Sequence, residues 1–286
     1  MPLFGAHMSI SGGLEYSIKR IKQVKGEALQ FFSKNQRQWK IPKFTSKEIE
    51  LFLNEYTKWG NYPLIIHTSY LLNLASPDKD LYQKSIQNLI AEFKIATLLN
   101  VSYIVTHPGS HRGKGIKLGI SLLANAIIEA FEKVPEFKGI LLVENTCGAG
   151  NLLGGNLEEF ALLKEKLLDI KIGFCLDTAH LFGFGYDFRT SLTYQKLKQK
   201  IKNYLDLSNV KLWHLNDSLC DLGSKKDKHF HIGQGTIGLK AFSFIVQDKD
   251  FQNLPMIIET PKDKTLSSDK KNLQTLKQLA KQVRSK

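Results

Sequence analysis

The sequence predicts a (β/α)8 barrel of the α/β class, and three observations carry that expectation. Eight short apolar runs recur along the 286 residues. Amphipathic segments separate them. The length admits one barrel or two ordinary domains, and no long linker, low-complexity tract or sequence repeat divides the chain. Strand-then-helix units repeated in this way favour a closed barrel over an open sheet. The expected organisation is one domain spanning residues 1–286.

In chain order the runs lie near residues 3–8 (LFGAHM), 28–33 (ALQFFS), 64–68 (LIIHT), 103–107 (YIVTH), 139–144 (GILLVE), 172–177 (IGFCLD), 210–215 (VKLWHL) and 255–259 (PMIIE). Several are continuous instead of alternating, as expected of parallel strands covered on both faces. Between the third and fourth runs, Ile86, Leu89, Ile90 and Phe93 fall at helical spacing and would share one face. Asn156 followed by Glu159 resembles a capping box before EEFALLKEKLL.

The ends of these runs are unusual. Five of the eight histidines, with four carboxylates, sit at or just past them: His67, His107, Glu144, Asp177, His180, His214, Asp227, His229 and Glu259. Buried charge is costly unless it is paired or bound to a metal. In a barrel, the carboxyl ends of all strands converge on one face, where active sites are built, so residues from His67 to Glu259 can surround one pocket. Imidazole and carboxylate together suit zinc and its neighbours, and the lack of cysteine among these nine favours a catalytic metal over a cysteine cage. Clustered metals acidify water and can stabilise both oxygens of a phosphoryl displacement.

Each residue has a plainer reading. His67 alone could be a hydrogen-bonded structural histidine, Asp177-x-x-His180 a helix cap with a surface histidine, and Glu144 a turn acceptor. All of these would have to hold together to explain the whole set. His7 and His111 are read as non-ligands. In KDKHFHIGQG, His229 and His231 are two residues apart and would face the same side of an extended segment, so either could pair with Asp227. The glycines after them permit a phosphate cradle or a plain turn.

A formal charge of +13 favours capture of polyanions, or reflects a surface decorated with lysine. A basic protein with such a site points towards a phosphodiesterase acting on nucleic acid. No apolar run of about 18 residues or more occurs, so no membrane span is expected. Cys147, Cys175 and Cys220 are odd in number and never form a CxxC pair, and they read as free thiols in a reducing compartment. With MPLFGAHMSISGG lacking a basic leader and an apolar stretch, the expected location is cytoplasmic.

The motifs taken together resemble the endonuclease IV family of abasic-site DNA repair enzymes. The matching stretches are GAHMSISGG, FFSKNQRQW, HTSYLLNLASP, THPGSHRG, LLVENTCGAGN, GFCLDTAHLFGFGYD, WHLNDS, KDKHFHIGQGTIG and IIETP, spread from residue 5 to residue 261. The resemblance implies a trinuclear zinc site, with manganese or iron able to substitute. It places His67, His107 and Glu144 on a first metal. Glu144 would bridge to a second, completed by Asp177, His214 and Glu259, and His180, Asp227 and His229 would hold the third. It thereby favours His229 over His231. It implies double-stranded DNA containing abasic sites as substrate, hydrolysis of the phosphodiester 5′ to the lesion, a 3′-hydroxyl and a 5′-deoxyribose phosphate as products, and 3′-end trimming. Arg37, Tyr70 and Leu71 match loops that penetrate DNA. No obligate protein partner is implied.

Two other functions compete. A metal-dependent sugar isomerase or epimerase also places His, Asp and Glu at strand ends, but has no need of a strongly basic surface. A non-catalytic binder of damaged DNA would use the metals only to hold its loops.

Overall fold

The computed structural model of the protein describes residues 1–282. Seven strands follow one another, β1 (Leu3–His7), β2 (Ala28–Phe32), β3 (Leu64–His67), β4 (Tyr103–Thr106), β5 (Ile140–Glu144), β6 (Ile172–Asp177) and β7 (Val210–His214). A two-stranded antiparallel ribbon, β8 (Asp217–Ser218) with β9 (His229–Phe230), precedes the last barrel strand, β10 (Pro255–Ile258). The helices are α1 (Glu15–Gln23), α2 (Ser46–Trp59), α3 (Lys79–Leu98), α4 (Ile116–Lys133), α5 (Glu158–Lys166), α6 (Thr178–Phe184), α7 (Ser191–Leu205), α8 (Leu239–Val246) and α9 (Ser267–Lys281).

Eight strands pair in parallel and close: β1 joins β2 on one side and β10 on the other, with Leu3 to Ala6 in register with Pro255 to Ile258. All eight expected runs form the barrel. The strands end at or one residue before the ends of the runs, so His107 and Glu259 stand just past β4 and β10.

Two apolar layers hold the fold. One lies between strands and helices and includes Phe31, Ile86, Leu89, Phe93, Phe160 and Trp213. The expected helical face on α3 is buried there, with Ile90 partly covered. The other fills the lumen: Ala28, Ile65, Val105, Leu142, Cys175, Leu212 and Ile257, one from each of β2 to β7 and β10. Full burial of a Leu or Ile side chain stabilises by about 1.5–3 kcal/mol. A register shift between Phe174 and Cys175 admits one extra residue on β7, which brings Leu212 opposite Cys175 and keeps both in the lumen.

Helix starts follow ordinary capping chemistry at Thr45, Asp78 and Thr190. The expected Asn156–Glu159 capping box does not form. Helix α5 begins at Glu158, after Leu157, which makes no side-chain cap. Asn156 instead accepts the Glu158 N–H, and the Glu159 carboxylate accepts the Gly154 N–H at 2.6 Å, closing the loop before the helix.

Candidate metal centre

Side chains alternate along a strand, so the residue two positions beyond a lumen residue points inward again, one layer nearer the C-terminal rim. Ile65 leads to His67, Val105 to His107, Leu142 to Glu144, Cys175 to Asp177, Leu212 to His214 and Ile257 to Glu259. On β2 the same step runs from Ala28 to Gln30, and on β1 from Gly5, opposite Ala28, to His7, opposite Gln30. A ring of eight polar side chains, one per strand, therefore lies on the lumen layer.

Glu144 is fully buried and central. Its Oε2 lies 3.0 Å from His67 Nε2 and 3.2 Å from His107 Nε2, and its Oε1 lies 3.0 Å from His214 Nδ1 and 3.3 Å from His180 Nδ1. Burial alone would push its carboxyl up, but the His214 and His107 rings outweigh that and hold it well below the usual range. Burial would lower His214, but the Glu259 and Glu144 carboxylates dominate and raise it to about 9. His229 is likewise raised to about 9: burial opposes protonation, and Asp177 and Asp227 favour it more strongly. His180 is raised well above its ordinary value, with burial outweighed by Asp177, Asp227 and Glu144.

Ring orientation is set from outside the cluster. His67 Nδ1 points at the Thr68 carbonyl (2.7 Å) and His180 Nδ1 at the Asn145 carbonyl (2.9 Å). Both rings thus donate from Nδ1, leaving Nε2 to face Glu144 in His67 and Asp227 in His180. The Asp177 Oδ1 accepts the His180 N–H at the start of α6, while its Oδ2 accepts from Asn216 Nδ2 at 2.7 Å.

His, Asp and Glu ligand atoms group in three places: His67, His107 and Glu144; Glu144, Asp177, His214 and Glu259; and Asp177, His180 and His229. Glu144 joins the first two groups and Asp177 the last two. Asp227, half-exposed at the rim, lies 3.1 Å from His180 Nε2 and 3.0 Å from His229 Nε2. His229 Nε2 is buried and has no hydrogen-bond partner, despite the nearby Asp227 oxygen. A buried ring nitrogen left without a hydrogen-bond partner among carboxylates is the kind of donor that a metal ion takes. Donor chemistry and this arrangement both fit zinc.

All nine expected ligand residues converge here. His231 does not, since its Nδ1 meets Asn272 Nδ2 on α9 at 3.1 Å. His111 Nδ1 accepts the Gly115 N–H before α4. His7 lies 3.7 Å from Glu259 at the edge of the site. The glycine-rich turn is filled from within: buried Asp217 accepts N–H groups from Gly233, Ile237 and Gly238, and a Cβ on Gly235 would collide with its carboxylate.

Arg37, Tyr70 and Leu71 lie on the rim, on the loops after β2 and β3. Tyr70 is 59% exposed, with its ring 5.6 Å from that of His67 and 5.7 Å from that of His107. Leu71 is half-buried and Arg37 exposed. The Ser69 hydroxyl donates to the Gln36 carbonyl at 2.6 Å and ties the two loops together. The Arg37 loop is further held by buried Lys34, which meets Glu92 on α3 at 3.2 Å.

Sequence reasoning passed over Gln30, Asn145, Asn216 and Cys175. Asn145 and Asn216 directly follow or nearly follow site residues in VENT and HLND, and that adjacency was the available signal. The Cys175 thiol lies with Glu144 and His214, where burial and the surrounding carboxylates push it up.

Fold and site define the class first: a barrel with a buried His, Asp and Glu centre on its C-terminal face, whose residues 18–284 match the family described as "Xylose isomerase-like TIM barrel". The chain is 42% identical over 280 residues to the probable endonuclease 4 of Chloroflexus aurantiacus, covering 98% of both chains. It is 42% identical over 282 residues to that of Nitratidesulfovibrio vulgaris, covering 98% of this chain and 99% of the other. The crystal structure of endonuclease IV from Thermus thermophilus superposes with a TM-score of 0.87 at 31% identity, covering 97% and 98% of the two chains. The chain belongs to the endonuclease IV family. A D-tagatose 3-epimerase-like protein superposes with a TM-score of 0.72 at 16% identity, a likeness of fold alone.

Proposed function

We propose that the protein is a cytoplasmic DNA repair endonuclease that hydrolyses the phosphodiester 5′ to an abasic site in double-stranded DNA. It leaves a 3′-hydroxyl and a 5′-deoxyribose phosphate, and it also trims blocked 3′ ends. One catalytic unit spanning the chain does this work. The observation that carries the reading is the convergence of eight His, Asp and Glu side chains into linked groups, with Asp227 beside His180 and His229, on the face where Tyr70 and Arg37 are exposed.

In this reading His67, His107 and Glu144 would hold a first zinc, Glu144, Asp177, His214 and Glu259 a second, and His180, Asp227 and His229 a third. When bound, the ions would supply Lewis acidity at the phosphate and acidify the attacking water. The chain's own side chains do the rest. Glu144 fixes the spacing of the first two positions, while the Thr68 and Asn145 carbonyls hold His67 and His180 in the binding tautomer. Asp177 links the second position to the third. Arg37, Tyr70 and Leu71 enter the minor groove as a cation and an apolar wedge and help bend the duplex. A sugar without its base has no stacking to lose, so extruding it costs less than flipping a normal nucleotide.

Charge supports DNA as the partner. Lys40, Arg112, Lys114, Lys226 and Lys262 are exposed on loops that follow strands, on the same face as the centre. Binding should therefore weaken steeply with salt. Incision of an end-labelled duplex carrying one abasic site tests the proposal. Cleavage immediately 5′ to the lesion with an extendable 3′-hydroxyl is the expected result. Folded, zinc-loaded protein that leaves the duplex intact would refute it.

A further inference from the structure

Gln30 and His7 are the two ring members with no role in the assignments above, and Gln30 is the one that touches two assigned ligands. It is fully buried on β2, and both ends of its amide are engaged. Its Oε1 lies 2.8 Å from His214 Nε2, and its Nε2 lies 2.6 Å from Glu259 Oε1 and 3.0 Å from His7 Nδ1. The orientation of the amide is determined by its partners. Turned over, its oxygen would face the Glu259 carboxylate at that same short distance, acceptor against acceptor.

We infer that Gln30 is a positioning residue that fixes His214 and Glu259 as ligands of one ion. The inference rests on the metal-centre reading above. The amide oxygen can only accept, so a neutral His214 carries its one ring proton on Nε2 and turns Nδ1 inward, 3.0 Å from Glu144 and 3.2 Å from Glu259. His67 and His180 are oriented the opposite way, with Nε2 toward Glu144 and Asp227, by main-chain carbonyls that no substitution removes. His214 depends on a side chain from a strand that is not its neighbour. The same amide holds Glu259, which lies just past the end of β10 and needs a lateral tie. One residue therefore sets two ligands from separate strands, and does so without touching the ion or the substrate.

The test compares wild-type protein with Gln30→Met, which keeps length and apolar bulk but removes both hydrogen-bonding ends. Chelator-treated full-length proteins are titrated with Zn2+ in competition with a chromophoric chelator. Losing a partner that orients a ligand typically costs about 10–100-fold in metal affinity. One zinc position should weaken by about that factor while the others keep wild-type affinity. Long-range ¹H–¹⁵N spectra of zinc-loaded wild-type protein supply a readout that does not depend on the variant folding. They should show His214 protonated at Nε2, and His67 and His180 protonated at Nδ1. Wild-type affinity at every zinc position in Gln30→Met, or a wild-type His214 protonated at Nδ1, would overturn the inference. Wild-type protein that takes up no zinc overturns the metal-centre reading itself, and this role with it.

Discussion

The Asp177 carboxylate accepts the His180 N–H at 2.8 Å, and the same carboxylate faces His229 Nε2 at 3.6 Å. One side chain thus caps helix α6 and lines two of the three ligand groups. The helix cap, set against a metal ligand in the sequence, forms in the structure without taking Asp177 out of the groups that could hold a metal. Asp177→Asn separates the two roles, because asparagine caps as well as aspartate but is a poorer, neutral ligand. The variant should melt within about 1 kcal/mol of wild type and lose zinc, read by elemental analysis beside a thermal melt. Full zinc content would remove Asp177 from the ligand set.

Glu144→Ala should lower incision by more than about a hundredfold, beyond the usual cost of losing an outer partner. Near-normal turnover by a folded Glu144→Ala protein would sink the polynuclear mechanism.

Arg37→Ala should leave zinc content unchanged and weaken binding to an abasic duplex by about tenfold, near 1.4 kcal/mol. Arg37 is exposed on a loop held by Lys34 and Ser69 and belongs to none of the ligand groups. A fluorescence anisotropy titration measures the binding. Loss of zinc would show that loop and centre are coupled.

Without metal, stability should depend on pH in a definite direction. His214 and His229 titrate near 9 in the folded protein, above the ordinary value near 6.5. Their stabilising contribution is therefore complete below about pH 6.5 and is lost as pH rises through about 9. Zinc competes with those protons, so its affinity should rise across the same window. Denaturant melts of chelated protein between pH 6 and 9.5, with zinc titrations alongside, should give opposite slopes. Parallel slopes would mean that these rings do not bind metal.

Leu142→Ala removes lumen packing directly beneath Glu144. It should cost about 2–5 kcal/mol in denaturant melts. A change under 1 kcal/mol would mean that the lumen layer closes over the gap.

The strands and the nine residues that converge at their ends were legible for a shared reason. A barrel strand buried on both faces reads as an apolar run, and a charged or imidazole residue at its end stands out against that run. Gln30 was not legible, because an amide inside a strand carries no ligand signal. Its role arises only when His7, His214 and Glu259 are brought beside it by strand pairing. The capping box at Asn156 was misread because the motif matches in sequence while the helix begins later. Asp217 and the β8–β9 ribbon were missed, since their order comes from one carboxylate collecting N–H groups from residues 16 to 21 positions away.

The most direct measurement is incision of an abasic duplex by chelated protein as zinc is added back in counted equivalents. Activity should be absent at first and reach its plateau only as the third equivalent binds, with every cut immediately 5′ to the lesion. Full activity in metal-free protein, or none when the ligand groups are saturated, would contradict the account.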